Sequence, residues 1–454
     1  MVRRYLLLAV LCHFFAGISA RPSPVSRRGA TCCSLPGLGD DFEAAEPEAV
    51  NLDPDIVNEA LAYANTHGRL SVQIFRHNCR VGAGLLDPLT DGIPNNVWSS
   101  TKSVVSILTG IAADKGKLHV DDPIGDYLPS GPGWGDEAHR AITIRNLLSQ
   151  SAGLDEAILA EAATLILDQS ASQEALAQPL KYPPGTHFEY SQRVPDLLAF
   201  VVQQAVGEDL QDFAQANLFD PLGIPSDSYF WLRDRSGNTY GYALLFIPPT
   251  QFAKLGLLLQ NNGSWNEQAV VSASWVESLA QSTPTNPCYG WLFWTNHGAP
   301  CTGANLPSAQ TYQRHLIPSA PEDLFAMVGF LQQNNFIIPS LEMTVTWTGV
   351  LGDTELNLAA LLSAAPAADL YYNFFRILMR AVKDVSIPDP GPWQVDPLEL
   401  DINPWNYANP EVLLNDIAGN PECNIVFCNG AVPVEGLVEN LRAIAETILG
   451  LLPI

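Results

Sequence analysis

The stretch Trp98-Ser99-Ser100-Thr101-Lys102 opens a segment with a helical period. From residue 103 to residue 115, apolar side chains recur at i, i+3, i+4 and i+7, namely at Val104, Ile107, Leu108 and Ile111. Gly116 follows where such a helix would end. Three residues make about one helical turn, so Ser99 and Lys102 share a face and the amine can reach the hydroxyl. The stretch therefore predicts an amphipathic helix with a nucleophile and its base at the start.

The pattern S-x-x-K also has a simpler interpretation. A serine that caps the helix and a lysine that points into solvent give the same spacing. Other nucleophile and phosphate motifs are absent, since the chain has no G-x-S-x-G, and Lys115-Gly116-Lys117-Leu118 has the wrong spacing for a phosphate loop. The catalytic interpretation therefore depends on the context of residues 98–102.

The segments on either side of this helix differ in their periodicity. Upstream, residues 53–67 repeat like a helix, and residues 69–84 alternate like two strands with a turn at His77-Asn78. Helical segments broken by proline and glycine follow at 142–148, 156–168 and 196–205. Strand-like runs return at 239–247, 289–296, 323–327, 335–338 and 343–348. Strands at both ends of the chain predict an α+β fold, an antiparallel sheet flanked by helices with an inserted all-helical domain.

The termini add segments outside this domain. Arg3 and Arg4 precede an apolar run that is shorter than the ~20 residues of a membrane span, so residues 1–20 are predicted to be a cleaved signal peptide. Residues 21–50 are predicted to be an extended arm. The catalytic domain is predicted over 51–384, with its helical part at about 106–224, and a C-terminal extension over 385–454 that ends in a helix at 434–452.

The charge balance excludes several classes of partner. Charged residues make up 16% of the chain, against about 25% in a typical protein, and the formal charge is −25. Loss of the two arginines of the signal would leave −27. Nucleic acids and anionic membrane surfaces attract clusters of Lys and Arg, which this chain lacks, so we expect neither as a partner. The oligomeric state is not determined by the sequence.

The cysteines fit a secreted, extracellular protein with disulfides. Cys288 pairs most simply with Cys301, and Cys423 with Cys428, because each pair brackets one short loop. Cys79 would then take Cys32 or Cys33, which leaves one thiol over. No two C-x-x-C pairs and no H-E-x-x-H occur, so we expect no metal site and no cofactor. The sequon Asn262-Gly263-Ser264 predicts a glycan on an exposed turn.

A series of short motifs follows residues 98–102, and their order and spacing are more specific than any one of them. They include Asp121-Asp122-Pro123-Ile124, Ser151-Ala152-Gly153-Leu154, Pro184-Gly185-Thr186 with Tyr190-Ser191, Phe252-Ala253-Lys254-Leu255-Gly256 and Ile338-Pro339-Ser340. In this order and spacing the chain resembles the serine β-lactamase-like hydrolases, in the branch of class C β-lactamases, DD-peptidases and esterases. The resemblance covers roughly residues 70–382. It implies a β-lactamase/transpeptidase-like fold with the active site between the sheet and the helical domain.

The resemblance also implies a role for individual residues. Ser99 would accept the acyl group, Lys102 would be its base, and Tyr190 would exchange a proton with Ser99 and the leaving group. A buried lysine has a lowered pKa, and a neighbouring ammonium lowers the pKa of a tyrosine, which fits these roles. The alternative for Tyr190 is an aromatic packing residue. Gln192 stands where the family has Asn and would bind substrate.

The third family motif is altered in this chain. Neither K-T-G nor H-x-G stands at the expected place, and the best match is Gly329-Phe330-Leu331-Gln332-Gln333, in which Gly329 and Phe330 would bind substrate. Trp347-Thr348-Gly349 lies on the next strand, and we do not expect it to be the third motif. His297-Gly298 is predicted to be a turn. An oxyanion hole would use the backbone N–H of Ser99 and a second donor near Phe330.

The missing lysine of that motif favours neutral substrates. It removes the cation that would bind a substrate carboxylate, although Arg193, Arg235 or Arg314 are alternative cations. The predicted function is a secreted serine hydrolase that acts on a small ester, amide or peptide through acyl-Ser99. The alternatives are an acyltransferase of the same fold and a binding protein whose catalysis has lapsed.

Overall fold

The structure is a computed structural model that describes residues 31–155, 161, 167–304, 311–349, 369–395, 403, 409–414 and 431–450. Its helices are α1 (Pro54–Thr66), α2 (Asp87–Thr90), α3 (Ser100–Asp114), α4 (Glu137–Arg140), α5 (Ile144–Leu148), α6 (Ala171–Ala177), α7 (Arg193–Val206), α8 (Leu210–Ala214), α9 (Pro249–Gln260), α10 (Ala273–Ala280), α11 (Asp369–Met379), α12 (Pro410–Leu414) and α13 (Glu435–Gly450). Short 3-10 turns lie at Pro47–Val50, Ile124–Asp126 and Pro339–Leu341, and a π turn at Gln215–Phe219.

The strands are mostly short. They are β1 (Arg69–Arg76), β2 (Cys79–Ala83), β3 (Asn95–Asn96), β4 (Phe230–Trp231), β5 (Leu245–Ile247), β6 (Ser264–Trp265), β7 (Gln268–Ala269), β8 (Trp294–Thr295), β9 (Cys301–Thr302), β10 (Thr311–Tyr312), β11 (Phe325–Gly329), β12 (Gln333–Ile338) and β13 (Met343–Gly349). Six of them form an antiparallel sheet in the order β2-β1-β13-β12-β11-β8.

The central sheet joins the two ends of the domain. Strand β1 pairs with β13, which is more than 260 residues later, with Val72 opposite Trp347. The side chains of β12 and β13 are buried on both faces, as expected for a sheet covered by helices on each side. Helix α9 packs on one face, and α11 packs its Phe374 ring 4.8 Å from Trp347 on β13. The predicted α+β fold with an antiparallel sheet is therefore confirmed.

The inserted helical region is organised around α7. Helices α3, α5 and α6 all contact it. All side chains of α7 from Arg193 to Val202 are buried, so the helix is surrounded by protein over most of its length. The start of α3 lies between this helical region and the sheet, since α3 contacts both α7 and β11. The fold thus places residues 98–102 at the junction of the two parts.

Two predicted strands are much shorter in the structure. In 239–247 only Leu245–Ile247 is a strand, because the N–H groups of Gly241 and Tyr242 donate to Asp196 rather than to a sheet partner. In 289–296 only Trp294–Thr295 is a strand, because Leu292 has a positive φ of 59° and turns the chain. The predicted helix at 156–168 lies mostly outside the described residues.

The described parts of the arm and of the C-terminal extension both contact the domain. In the arm, Phe42 packs its ring 4.8 Å from Phe75 of β1. In the extension, the Asn440 side chain of α13 donates to the Arg233 carbonyl and accepts from the Arg233 N–H, at 3.0 and 2.8 Å. The predicted signal peptide lies outside the described residues. The segment boundaries stay predictions.

The disulfides agree with the sequence prediction where the structure describes them. Cys288 is bonded to Cys301, and Cys79 is bonded to Cys33, one of the two predicted partners. The second bond ties the arm to strand β2. The predicted pair Cys423 and Cys428 lies outside the described residues.

Candidate active site

Ser99 precedes the first turn of α3 with its hydroxyl uninvolved in capping. The residue stands at the N-cap position, and its side chain makes no capping hydrogen bond. The lysine one turn later is 1% exposed. The simpler interpretation of S-x-x-K, a capping serine beside an exposed lysine, is therefore wrong for both residues.

The Lys102 amine has three polar contacts. Its Nζ lies 3.1 Å from Ser99 Oγ, 2.5 Å from Gln192 Oε1 and 2.9 Å from the Tyr242 carbonyl oxygen. Burial lowers the pKa of Lys102 to about 7, against partial opposition from the nearby carboxylates of Asp196 and Glu161. A large fraction of this lysine is therefore neutral at physiological pH.

The geometry around Lys102 also orients its lone pair. A neutral amine has two N–H donors and one lone pair. The Gln192 amide oxygen and the Tyr242 carbonyl oxygen can only accept hydrogen bonds, so they occupy the two donors. The lone pair is left facing the Ser99 hydroxyl, which can donate. The arrangement is suited to removing a proton from Ser99.

Tyr190 also lies beside Lys102 and is 2% exposed. Its ring centroid is 5.0 Å from Lys102 Nζ, and the ring stacks against Trp294 at 5.7 Å. Burial raises the pKa of Tyr190, and a hydrogen bond to Ser99 opposes the rise. The expectation that a neighbouring ammonium lowers this pKa is wrong, because desolvation dominates. Tyr190 keeps its proton and can donate it.

The backbone of Gln192 is held by a carboxylate, Glu161, that no sequence motif singles out. Glu161 is fully buried, and its Oε2 accepts from the backbone N–H groups of Gln192 and Arg193 and from the Ser191 hydroxyl. It thereby satisfies backbone N–H groups at the start of α7 that have no partner within the helix. Glu161 precedes these partners by about 30 residues, so no local spacing signals the contact.

The hairpin between β11 and β12 brings Gly329 and Phe330 to the nucleophile. A Cβ on Gly329 would lie 2.1 Å from the Val97 carbonyl oxygen, so only glycine permits this approach. The Phe330 ring lies edge-on to Trp98 with centroids 5.5 Å apart. Among the described residues, the N–H groups of Ser99 and Phe330 have no acceptor. Both donors are thus available at this end of the cleft.

The three arginines considered as substitutes for the missing cation have other partners. Arg193 is 0% exposed and paired with Asp168 at 2.7 Å. Arg235 donates to Gln169 Oε1 at 2.7 Å. Arg314 lies 4.5 Å from the Trp393 ring centroid and donates to two backbone carbonyls. None of these contacts places a cation beside Ser99.

The described residues contain no group of three or more His, Cys, Asp or Glu side chains that fits a metal ion. None of their helices combines the length and the apolar character that a bilayer crossing needs.

The part of the chain that contains Ser99, Lys102 and Tyr190 is similar to known proteins. Residues 84–307 match the family model described as Beta-lactamase. A methylbutanoyltransferase for ML-236A carboxylate from Penicillium citrinum is 26% identical in an alignment of 228 residues that covers 44% of this chain and 53% of that protein. The monacolin J acid methylbutanoyltransferase of Aspergillus terreus is 28% identical over 33% of this chain and 41% of its own length. The chain thus spans about half or less of these relatives.

Solved structures agree on the fold. A penicillin-binding protein homologue from Caulobacter crescentus has a TM-score of 0.50 and 13% identity, covering 68% of this chain and 92% of that one. SurE with D-Leu has a TM-score of 0.51 and 17% identity, covering 75% and 78%. The resemblance drawn from the sequence is confirmed: residues 84–307 match the Beta-lactamase family model, and the described residues have the β-lactamase/transpeptidase-like fold.

Proposed function

We propose that this Beta-lactamase family chain is a secreted serine hydrolase that cleaves neutral esters or amides through an acyl-Ser99 intermediate. The observation that carries the proposal is the position of Lys102 Nζ, 3.1 Å from Ser99 Oγ with its two donors occupied elsewhere. A base at this distance with a pKa near the working pH is suited to general base catalysis.

The proposed reaction has two steps. Lys102 takes the Ser99 proton while Oγ bonds to the substrate carbonyl carbon, and the oxyanion accepts from the N–H groups of Ser99 and Phe330. The bond to the leaving group then breaks, and Tyr190 protonates that group and is reprotonated from Lys102. In the second step water attacks the acyl-enzyme and gives a proton to Lys102. The bond between the acyl group and Ser99 Oγ then breaks, Lys102 returns the proton to Oγ, and the acid is released.

The surroundings of Ser99 support a neutral substrate. Aromatic side chains surround the candidate residues: Trp98, next to Ser99, lies edge-on to Phe330, and Tyr190 stacks on Trp294. Residues 324–333 contain no Lys or Arg, and the chain carries −25. A substrate carboxylate would therefore meet a negative field without a fixed cation. Penicillins should be poor substrates in comparison with neutral short-chain esters.

The test is covalent labelling followed by kinetics. Intact mass should increase by one phosphonyl group after treatment with a fluorophosphonate, and Ser99→Ala should show no increase. Wild-type protein should hydrolyse p-nitrophenyl acetate faster than nitrocefin and faster than a matched ester with a carboxylate in its acyl part. An unlabelled wild-type protein would favour the binding protein without catalysis, and fast nitrocefin hydrolysis would overturn the neutral-substrate proposal.

Acyl transfer is the second candidate function, because two similar proteins are named methylbutanoyltransferases. It differs only in the acceptor, since an alcohol replaces water in the second step. With p-nitrophenyl butyrate and added alcohols, product analysis gives the ratio of new ester to free acid. An excess of ester at millimolar alcohol would assign transfer as the main reaction.

Secretion is proposed from the cysteines and the sequon. Two disulfides fit an oxidising compartment, and Asn262 is exposed at a turn. A preparation from a eukaryotic secretion host should carry glycan on Asn262, and peptide mapping without reductant should recover Cys288 joined to Cys301. Free thiols at both cysteines would contradict the compartment.

A further inference from the structure

The backbone of Tyr242 is held on both sides by buried groups. Its N–H donates to Asp196 Oδ1 at 3.0 Å, and its carbonyl accepts from Lys102 Nζ at 2.9 Å. The neighbouring Gly241 N–H donates to the same Asp196 oxygen at 2.7 Å. This double contact pulls residues 241–242 against α7, where a Cβ on Gly241 would lie 2.1 Å from the Pro195 carbonyl oxygen.

We propose that Asp196 is a positioning residue, which places the Tyr242 carbonyl on Lys102 and so orients the base toward Ser99. The inference rests on the proposed function of Ser99 and Lys102 and adds a residue that has no contact with the nucleophile. Without the carboxylate, the two N–H groups lose their acceptor in a buried place and the segment must move to find another. The carbonyl would then leave Lys102, whose amine would be free to rotate.

Asp196 is itself fixed by a buried ion cluster. Its Oδ2 lies 3.4 Å from Arg193 Nη1, and Arg193 Nη2 lies 2.7 Å from Asp168 and 3.3 Å from Glu174. All four side chains are at most 2% exposed. Removing one member of such a cluster leaves the others incompletely paired in a buried place, so moving Asp196 away from Arg193 is costly. A carboxylate that is held in this way suits a role in orientation.

The charged and titratable groups around Lys102 define what a pH profile would report. Helix α7 contributes Asp196, and Glu161 is the second carboxylate that raises the pKa of Lys102. The rings of Tyr190 and Tyr242 face Nζ with centroids at 5.0 and 5.6 Å. Burial raises the pKa of Asp196 to about 7, so its carboxylate form predominates above that pH. Loss of that carboxylate, and of the carbonyl that accepts from the ammonium, both favour the neutral amine. Both changes therefore lower the pKa of Lys102.

Three variants separate position, charge and general stability. Asp196→Ala removes the acceptor, and Asp196→Asn keeps an acceptor oxygen without the charge. Asp234→Ala is the matched control, since Asp234 is equally buried and accepts from the backbone N–H groups of Ala171 and Asn238 but does not contact residues 241–242. Rates on p-nitrophenyl acetate from pH 5 to 9 and amide hydrogen exchange of residues 241–242 are measured for each.

The expected result is a kcat about 10²-fold lower in Asp196→Ala, an acidic limb of kcat/KM shifted to lower pH, and faster exchange at Tyr242. Asp196→Asn should restore kcat to within about threefold of wild type, and Asp234→Ala should leave the acidic limb and the Tyr242 exchange unchanged. If Asp196→Ala does not fold, Asp196→Ser replaces it, because the shorter side chain does not reach the two N–H groups.

Two results would overturn the inference. One is an Asp196→Ala protein with wild-type kcat and acidic limb, and the other is an equal loss of kcat and of Tyr242 protection in Asp234→Ala. Failure of the proposed function can be told apart from failure of the Asp196 inference. If the proposed function is wrong, the wild-type protein itself neither hydrolyses the ester nor reacts with the fluorophosphonate. Amide exchange in the same variants tests the Asp196 contact without any activity.

Discussion

Lys102 in α3 and Lys254 in α9 are both buried lysines, but their surroundings differ. Lys254 is 4% exposed, and its Nζ donates to the Gly223 carbonyl at 2.8 Å, its one hydrogen-bond partner among the described residues. Burial lowers its pKa to about 8. Lys102 has the lower pKa, about 7, and contacts two fixed acceptors and a hydroxyl. Burial alone therefore lowers the pKa of a lysine, whereas the partners decide whether the neutral amine faces a nucleophile.

The largest expected difference between the two lysines is in activity. Lys102→Ala should lower kcat/KM for p-nitrophenyl acetate by about 10³-fold, because it removes the base. Lys254→Ala should stay within about threefold of wild type at a temperature where it is folded. Ser99→Ala gives the background rate. Equal losses in the two lysine variants would remove the functional distinction between the sites.

A smaller loss is expected from the tyrosine beside Lys102. Tyr190→Phe keeps the ring that stacks on Trp294 and removes the proton donor, so kcat should fall by about 10²-fold. The matched control is Tyr289→Phe, since Tyr289 packs against the same Trp294 ring at 4.8 Å. If Tyr190→Phe hydrolyses the ester at the wild-type rate, the residue packs the site and transfers no proton.

The pH dependence of kcat/KM should also distinguish the two lysines, with a smaller effect than the substitutions above. Because the neutral form of Lys102 is the base, kcat/KM should rise with pH around the pKa of Lys102, which is about 7. One pH unit below that pKa, kcat/KM should be about tenfold below its plateau. Lys254→Met should show the same acidic limb of kcat/KM. An unchanged limb in this variant would confirm that the limb reports Lys102 and not Lys254. A flat profile from pH 5 to 9 would contradict the assignment of Lys102 as base.

The smallest effect is on stability. The folded-state pKa of Lys102 lies below its unfolded value of about 10.5, so the unfolded chain binds more protons between pH 7 and 10.5, and stability should rise with pH across that window. Lys102→Met removes the buried charge and should raise the free energy of unfolding by about 1–2 kcal/mol at pH 6, with a gain that shrinks toward pH 10. Denaturant unfolding of wild type and variant at both pH values measures this.

Much of the fold follows from local patterns in the sequence. The helices at 54–66 and 100–114, the turn at His77-Asn78 and the strand at 343–349 agree with the predicted periods. The prediction of one strand over 239–247 is wrong for most of the segment. Its side chains alternate as in a strand, but the N–H groups of Gly241 and Tyr242 donate to a carboxylate of α7 instead of a neighbouring strand. A side-chain acceptor more than 40 residues away competes with the sheet and leaves no periodic signal.

The candidate active site also combines features that follow from local spacing with features that depend on distant segments. That Ser99 and Lys102 share one helical turn follows from the residue spacing, since this spacing is a property of the local backbone. The order of the motifs that indicate the fold is likewise a property of the amino-acid sequence. The groups that surround the amine become known only in the folded chain, since Gln192 and the Tyr242 carbonyl come from 90 and 140 residues further along.

The protonation states of the site also depend on the folded chain. The sequence predicted a lowered pKa for both Lys102 and Tyr190, and burial moved them in opposite directions, lowering the first and raising the second. Desolvation disfavours the charged form of either group, and that form is the protonated lysine but the deprotonated tyrosine. Residue types and spacing set which groups can meet, whereas the degree of burial and the acceptors from distant segments set which of them carries the proton.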